Sequence, residues 1–151
     1  MASTHEYPVS VEWNGGRGGS GTVRGGHSGA ALDLAVPPEF QGTGNGTNPE
    51  ELLAAAIAAC YSITFGIIAE NRKLPLQNLH VEAAGEVEQS GPSFKYTKMT
   101  IRPQITLTAE ATDDHVKMAE DMAHKADSYC IITNATRGNV EVHVQPTIKR
   151  G

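Results

Sequence analysis

The stretch from Thr47 to Leu74, TNPEELLAAAIAACYSITFGIIAENRKL, reads as one long helix around which the rest of the chain is arranged. Asn48 can cap it, Pro49 suits the first turn, and Glu51 stands where a capping box places its carboxylate. Glu50 and Glu51 also suit the positive end of the helix dipole. From Leu52 to Ala69 no residue is charged, and apolar or small side chains surround the helix instead of forming one stripe. Such a helix is expected to be buried on most sides. Its length touches the threshold for a membrane span. The alanines from Ala54 to Ala59, the interruptions at Ser62, Thr64 and Gly66, and the lack of a second such segment favour the core helix of a soluble protein. Near its middle lies Cys60.

At 151 residues the chain is expected to form one domain, 1–151, that buries roughly 70% of its unfolded surface without metals or disulfides. A formal charge of −5 and a pI near 5.6 speak against nucleic acid or an anionic membrane as partner, since both reward clustered Lys and Arg. The N-terminal MASTHEYPVSVEWN has no basic segment followed by an apolar one, so a cytoplasmic location is expected. In that compartment the two cysteines, Cys60 and Cys130, are reactive or buried thiols more often than a structural staple.

Toward the N-terminus, Val9, Val11 and Trp13 alternate with polar residues as in a strand, and NGGRGGSG from Asn14 to Gly21 turns the chain into a second strand near Thr22 to Arg24. The glycine pattern matches a dinucleotide fingerprint letter by letter. A strand signal follows where the phosphate-binding helix should begin, which rejects that site. Ala31 to Val36 gives a third strand, and a Pro-, Gly- and Asn-rich loop leads into the long helix, which is expected to end before Pro75.

Toward the C-terminus, Leu79, Val81, Ala83, Gly85 and Val87 alternate with polar residues up to a Ser90-Gly91-Pro92 turn, and a second long strand returns through Met99, Ile101, Ile105 and Leu107. Phe94 and Tyr96 have the opposite parity to Met99 and Ile101, which places a bulge near Thr97, and Pro103 suggests an edge or irregular position. Thr112 caps a second helix carrying Val116, Ala119, Met122, Ala123 and Ala126, with Cys130 at its end. A loop, NATRGN, then precedes a last strand through Val140, Val142 and Val144. Three strands, long helix, hairpin, second helix and strand read as an α+β fold with antiparallel sheets around a central helix.

On pattern alone Cys60 suits an inert buried thiol, because an apolar helix is where such a residue sits. It lies too far inside the helix for the N-terminus to lower its pKa much, so reactivity needs a cation from elsewhere, with Arg17 and Arg24 the candidates. The six histidines show no ligand spacing, and Tyr61, Phe65, Met118 and Met122 read as core.

TNPEELLAAAIAAC nevertheless resembles the signature of the OsmC/Ohr family of thiol-dependent hydroperoxide reductases, which runs from an Asn-Pro-Glu to a reactive cysteine. The resemblance extends over most of the chain, including the Gly15-Gly16-Arg17 turn, the helix ending in a second cysteine, and the final strand. It implies an organic hydroperoxide reductase with Cys60 as the attacking thiolate, Cys130 as the resolving cysteine, Arg17 as the cation beside the thiolate and Glu50 as the carboxylate that orients it. Arg24 is the reserve for Arg17. It implies further an organic hydroperoxide as substrate, an external dithiol reductant such as a lipoyl group, and no metal or organic cofactor. A peroxide-responsive redox sensor and a non-catalytic ligand-binding member of the family are the alternatives.

The helix adds a geometric consequence. At 1.5 Å per residue Glu50 and Cys60 are separated by ~15 Å along the axis and ~80° in direction. For both to serve one thiolate, as the resemblance implies, a second copy of the helix packed antiparallel brings Glu50 of one subunit beside Cys60 of the other. An obligate, two-fold symmetric homodimer with the sites at its interface is therefore expected, the rival being a kink or break within Asn48 to Leu53 that folds Glu50 back.

Overall fold

In the computed structural model, which describes residues 1–151, the chain divides into two units, Met1–Leu52 and Leu53–Gly151. The first is a three-stranded antiparallel sheet, β1 (Val9–Asn14), β2 (Ser20–Gly25) and β3 (Ala31–Leu34), in that spatial order. Val11 faces Val23 and Trp13 faces Gly21 across the β1–β2 ladder. The turn between them takes Gly15 to a φ of 96°, a backbone conformation that glycine adopts without steric cost, and the Trp13 indole donates to the Gly15 carbonyl at 2.9 Å. Val9, Val11, Trp13 and Leu32 are exposed, so the apolar side of this sheet lies open.

The long helix, α1 (Pro49–Asn71), starts where the sequence places it. Asn48 Oδ1 accepts from the Glu51 N–H at 2.9 Å, which is the expected cap. The reciprocal half of a capping box is replaced: Glu51 accepts instead from the Thr47 hydroxyl at 2.7 Å. Backbone bonds from Thr47 N–H to Asp33 O (2.8 Å) and from Ala35 N–H to Thr47 O (3.0 Å) anchor the helix entry to the end of β3. α1 then runs unbroken to Asn71 and closes through Lys73 in the left-handed region (φ 56°) before Pro75, so no break folds Glu50 back.

The second unit pairs β4 (Leu76–Ser90) with β5 (Ser93–Leu107) in one long antiparallel hairpin. The register slips between Glu86, opposite Lys98, and Val87, opposite Tyr96, leaving Thr97 as the extra residue of the expected bulge. α2 (Asp113–Tyr129) and a short α3 (Ile131–Thr136) follow, then β6 (Glu141–Val144) and β7 (Thr147–Arg150). Two of these correct the sequence reading: the NATRGN loop begins inside α3, and a second strand, β7, follows the expected last one. Both β6 and β7 join β5 in parallel, so this sheet is mixed, not wholly antiparallel.

Pro103 is likewise corrected, because β5 is the central strand and Pro103 is buried within it. Its position is irregular for a different reason. Ile101 pairs with Val144 at the end of β6, and Gln104 with Thr147 at the start of β7. Ile101 turns its carbonyl to that side, and Pro103, of the same parity, turns its missing donor toward the gap between β6 and β7, where the ladder is interrupted anyway.

One face of this sheet and the inner stripes of α1 and α2 make the core of the unit: Met99, Ile101, Ile105 and Leu107 from β5, Ala119, Met122, Ala123 and Ala126 from α2, and Ile57, Tyr61, Phe65 and Ala69 from α1. The Tyr61 hydroxyl donates to the Ala123 carbonyl at 2.6 Å and ties the two helices together. α1 is long and apolar enough to cross a bilayer by length and composition, and one stripe of it, with Ile57, Tyr61 and Phe65, is wholly buried in protein. The expectation of burial on most sides does not hold for the single chain. Only the Ile57–Tyr61–Phe65–Ala69 stripe is buried, while Ala55, Ala56, Ala59, Ile63 and Ile67 stand exposed.

Candidate active site

Cys60 leaves α1 beside, not within, the buried stripe, so its sulfur is half-exposed. Cys130 is wholly buried at the junction of α2 and α3, where it ends the first helix and caps the second. The cap is unusual in chemistry: the Cys130 sulfur, in the place of a serine or aspartate oxygen, accepts from the Thr133 N–H at 3.4 Å. The chain around the junction is pinned by Arg137, which donates to the Asp127 carbonyl at 3.1 Å and to its carboxylate at 3.4 Å.

The fold brings the two thiols close enough for each to act on the other's ionisation. Burial alone would push the Cys60 thiol up. Hydrogen bonds from the Cys130 side chain, the Ile132 N–H, the Thr64 hydroxyl and the Ile131 N–H outweigh it and hold Cys60 below its ordinary pKa. For Cys130 the balance is reversed: burial and the bond to Cys60 both raise its pKa, and the Thr133 hydroxyl and N–H only partly oppose them. The pair therefore shares its proton unequally, with Cys60 the sulfur that ionises and Cys130 the one that keeps its hydrogen.

Thr64, Thr133 and the N–H groups of Ile131 and Ile132 were not among the residues singled out from the sequence. Thr64 could have been found, since it sits one helical turn after Cys60 on the same face. The others could not, because their contribution depends on a short helix that reads as loop. Ile57 and Tyr61 are spent in the core, and the exposed apolar groups within two turns of Cys60 on α1 include Ala56, Ile63 and Ile67, with exposed Ile131 beside the thiol.

Arg17 and Glu50 belong to the first unit. Arg17 is exposed in the β1–β2 turn, and Arg24 is exposed on β2 opposite Ser10 and Ala31. Glu50 stands in the first turn of α1 with one carboxylate oxygen, Oε2, buried.

Comparison with known proteins identifies the lineage, for the family model described as OsmC-like protein matches residues 42–145. The chain belongs to the OsmC-like family. Among its relatives, the uncharacterized protein YmaD of Bacillus subtilis is 36% identical over 100% of this chain and 99% of its own. An organic hydroperoxide resistance protein-like 2 of Staphylococcus epidermidis is 31% identical over 93% of this chain and 95% of its own. A crystal structure of an organic hydroperoxide resistance protein OsmC from Legionella pneumophila superposes with a TM-score of 0.75 at 29% identity, covering 95% of this chain and 99% of that one. An OsmC-like protein from Vibrio cholerae shares the fold at a TM-score of 0.81 and 21% identity, covering 95% of this chain and 100% of that one. The mixed α/β architecture with its central helix is thus that of the OsmC/Ohr structures.

Proposed function

We propose that this OsmC-like chain is a cysteine-based peroxidase that reduces organic hydroperoxides to alcohols. The observation that carries the reading is the pair of neighbouring thiols with opposite pKa shifts, Cys60 half-buried and shifted down, Cys130 buried and shifted up. The Cys60 thiolate attacks the outer peroxide oxygen. An S–O bond forms, the O–O bond breaks, and the alkoxide leaves with a proton as alcohol, so that sulfur is oxidised by two electrons to a sulfenic acid. Cys130 then attacks that sulfur, water departs, and a Cys60–Cys130 disulfide remains. An external dithiol, of which a lipoyl group is one, returns both sulfurs to the thiol state.

Organic hydroperoxides are preferred over hydrogen peroxide because Ala56 and Ile131 offer apolar surface near Cys60 at roughly 0.8 kcal/mol per buried CH₂. The names of the Staphylococcus and Legionella relatives support the same substrate class. Arg17, with Arg24 in reserve, supplies the cation that favours the thiolate, and Glu50 orients it. Because α1 is unbroken between Glu50 and Cys60 and its outer side is apolar, the shared site is assembled in a homodimer, with α1 of a second copy packed antiparallel on the exposed Ala55, Ala59, Ile63 and Ile67.

Peroxide consumption with excess dithiol tests the reading. Sustained turnover of an alkyl hydroperoxide, faster than that of hydrogen peroxide, is expected. Stoichiometric oxidation without turnover would make the chain a sensor, and untouched peroxide a binding protein.

A further inference from the structure

Thr133 is the residue of the thiol pair's surroundings with the least reason to be polar. It is wholly buried, its Oγ1 is closed off from solvent, and in the resting geometry that oxygen makes no well-formed hydrogen bond. A buried hydroxyl left so is destabilising relative to an apolar side chain of the same shape. Valine would fill the space without that cost. Yet the hydroxyl stands beside the Cys130 sulfur, and the N–H of the same residue points at that sulfur from 3.4 Å. Thr136 fixes the arrangement by donating its own hydroxyl to the Thr133 carbonyl at 2.8 Å.

We propose that Thr133 is a positioning residue for the second half-reaction: its hydroxyl and N–H hold the Cys130 sulfur and receive its negative charge when that sulfur attacks oxidised Cys60. The inference rests on the peroxidase reading given above. In the resting pair Cys130 is held toward its thiol form by burial and by Cys60, and the Thr133 hydroxyl has little charge to bind. Once Cys60 has become a sulfenic acid its negative charge is gone, and with it the contribution by which Cys60 raises the Cys130 pKa. The Thr133 donors then act unopposed by that charge. The Cys130 proton leaves to solvent, its sulfur forms the S–S bond, and hydroxide departs from Cys60 to combine with a proton as water. The other ionisable groups around Cys130 do not supply this assistance: Asp127 is paired with Arg137, and the Tyr61 phenol is committed to the Ala123 carbonyl.

The test separates the two half-reactions after one equivalent of alkyl hydroperoxide, in the parent, Thr133→Val and Thr133→Ser. Thiol quenching followed by mass spectrometry reads sulfenic acid and disulfide with time. Expected for Thr133→Val is first attack at the parental rate, disulfide formation slowed about tenfold or more, and a pH profile of that second step moved to higher pH. Thr133→Ser, which keeps the hydroxyl, should restore both rate and profile. Disulfide formation in Thr133→Val at the parental rate and pH profile overturns the proposal, as does equal slowing in Thr133→Ser.

A second measurement needs no change at Thr133. In Cys60→Ala, the ultraviolet thiolate absorbance of Cys130 should titrate at lower pH than its thiol does in the reduced parent. An unchanged or higher midpoint contradicts the proposed release of Cys130. If the parent itself forms no Cys60–Cys130 disulfide, the peroxidase reading fails first, and that result is distinct from either of these.

Discussion

Cys60 and Cys130 act on each other's ionisation although one lies mid-way along α1 and the other at the junction of α2 and α3. They meet because the stripe Ile57–Tyr61–Phe65 draws α1 onto α2, with Tyr61 fastened to Ala123 at 2.6 Å. The sulfur next to Tyr61 in sequence is thereby brought to the end of the helix that Tyr61 grips.

That dependence gives a prediction about stability. Tyr61→Phe deletes the buried hydroxyl and its bond to the Ala123 carbonyl and should cost about 0.5–1.5 kcal/mol, whereas Phe65→Ala, which opens a cavity in the same stripe, should cost about 3–5 kcal/mol. Urea denaturation monitored by circular dichroism measures both. A Phe65→Ala variant as stable as the parent would show that α1 does not pack as described.

The pH dependence of the first attack follows from the lowered Cys60 pKa. The reactive form is the thiolate, so the single-turnover rate should rise with pH and reach half its plateau below the ordinary thiol value of 9.0. Thr64→Val removes one of the groups that favour the Cys60 thiolate and should shift the rise to higher pH. A parental midpoint at or above 9.0 would mean that the pair does not favour the Cys60 thiolate.

Cys60→Ser should lose turnover by several orders of magnitude, since an alcohol near neutral pH offers almost no nucleophilic anion. Cys130→Ser should still consume one equivalent of hydroperoxide and then accumulate sulfenic and sulfinic Cys60. Turnover of the Cys60→Ser chain above a trace would move the chemistry elsewhere.

Assembly is tested by complementation. Co-refolding Glu50→Ala with Cys60→Ser chains should restore up to one intact site per mixed dimer, and Ile63→Glu on the exposed side of α1 should give monomers by sedimentation. Mixed chains without activity, or an Ile63→Glu chain that assembles like the parent, would count against sites shared between copies.

Much of this fold could be read from residues. The Asn48 cap, the Thr97 bulge and the period-two alternation of β4 and β5 are local signals, and each appears where its local chemistry puts it. What could not be read depended on partners distant in sequence. Pro103 suggests an edge until β6 and β7 are known to leave a gap beside it. α3 is too short to have a period, and its cap is a cysteine, a residue no capping preference would select. The uncharged surface of α1 was legible, but which side of it the chain itself covers was not, because burial by a second copy and burial by the same chain leave the same composition. For the candidate site, Cys60 and Cys130 were named through the family motif, whereas Thr133 reaches Cys130 only through a turn that the sequence does not announce.

The most direct measurement is the covalent state of the chain after one equivalent of an alkyl hydroperoxide, read by peptide mapping and mass spectrometry without reductant. A Cys60–Cys130 disulfide, with the loss of two hydrogens and the release of one equivalent of alcohol, is the expected result. A chain whose mass is unchanged, or whose Cys60 carries oxygen while Cys130 stays a free thiol, would contradict the pairing on which the proposed function rests.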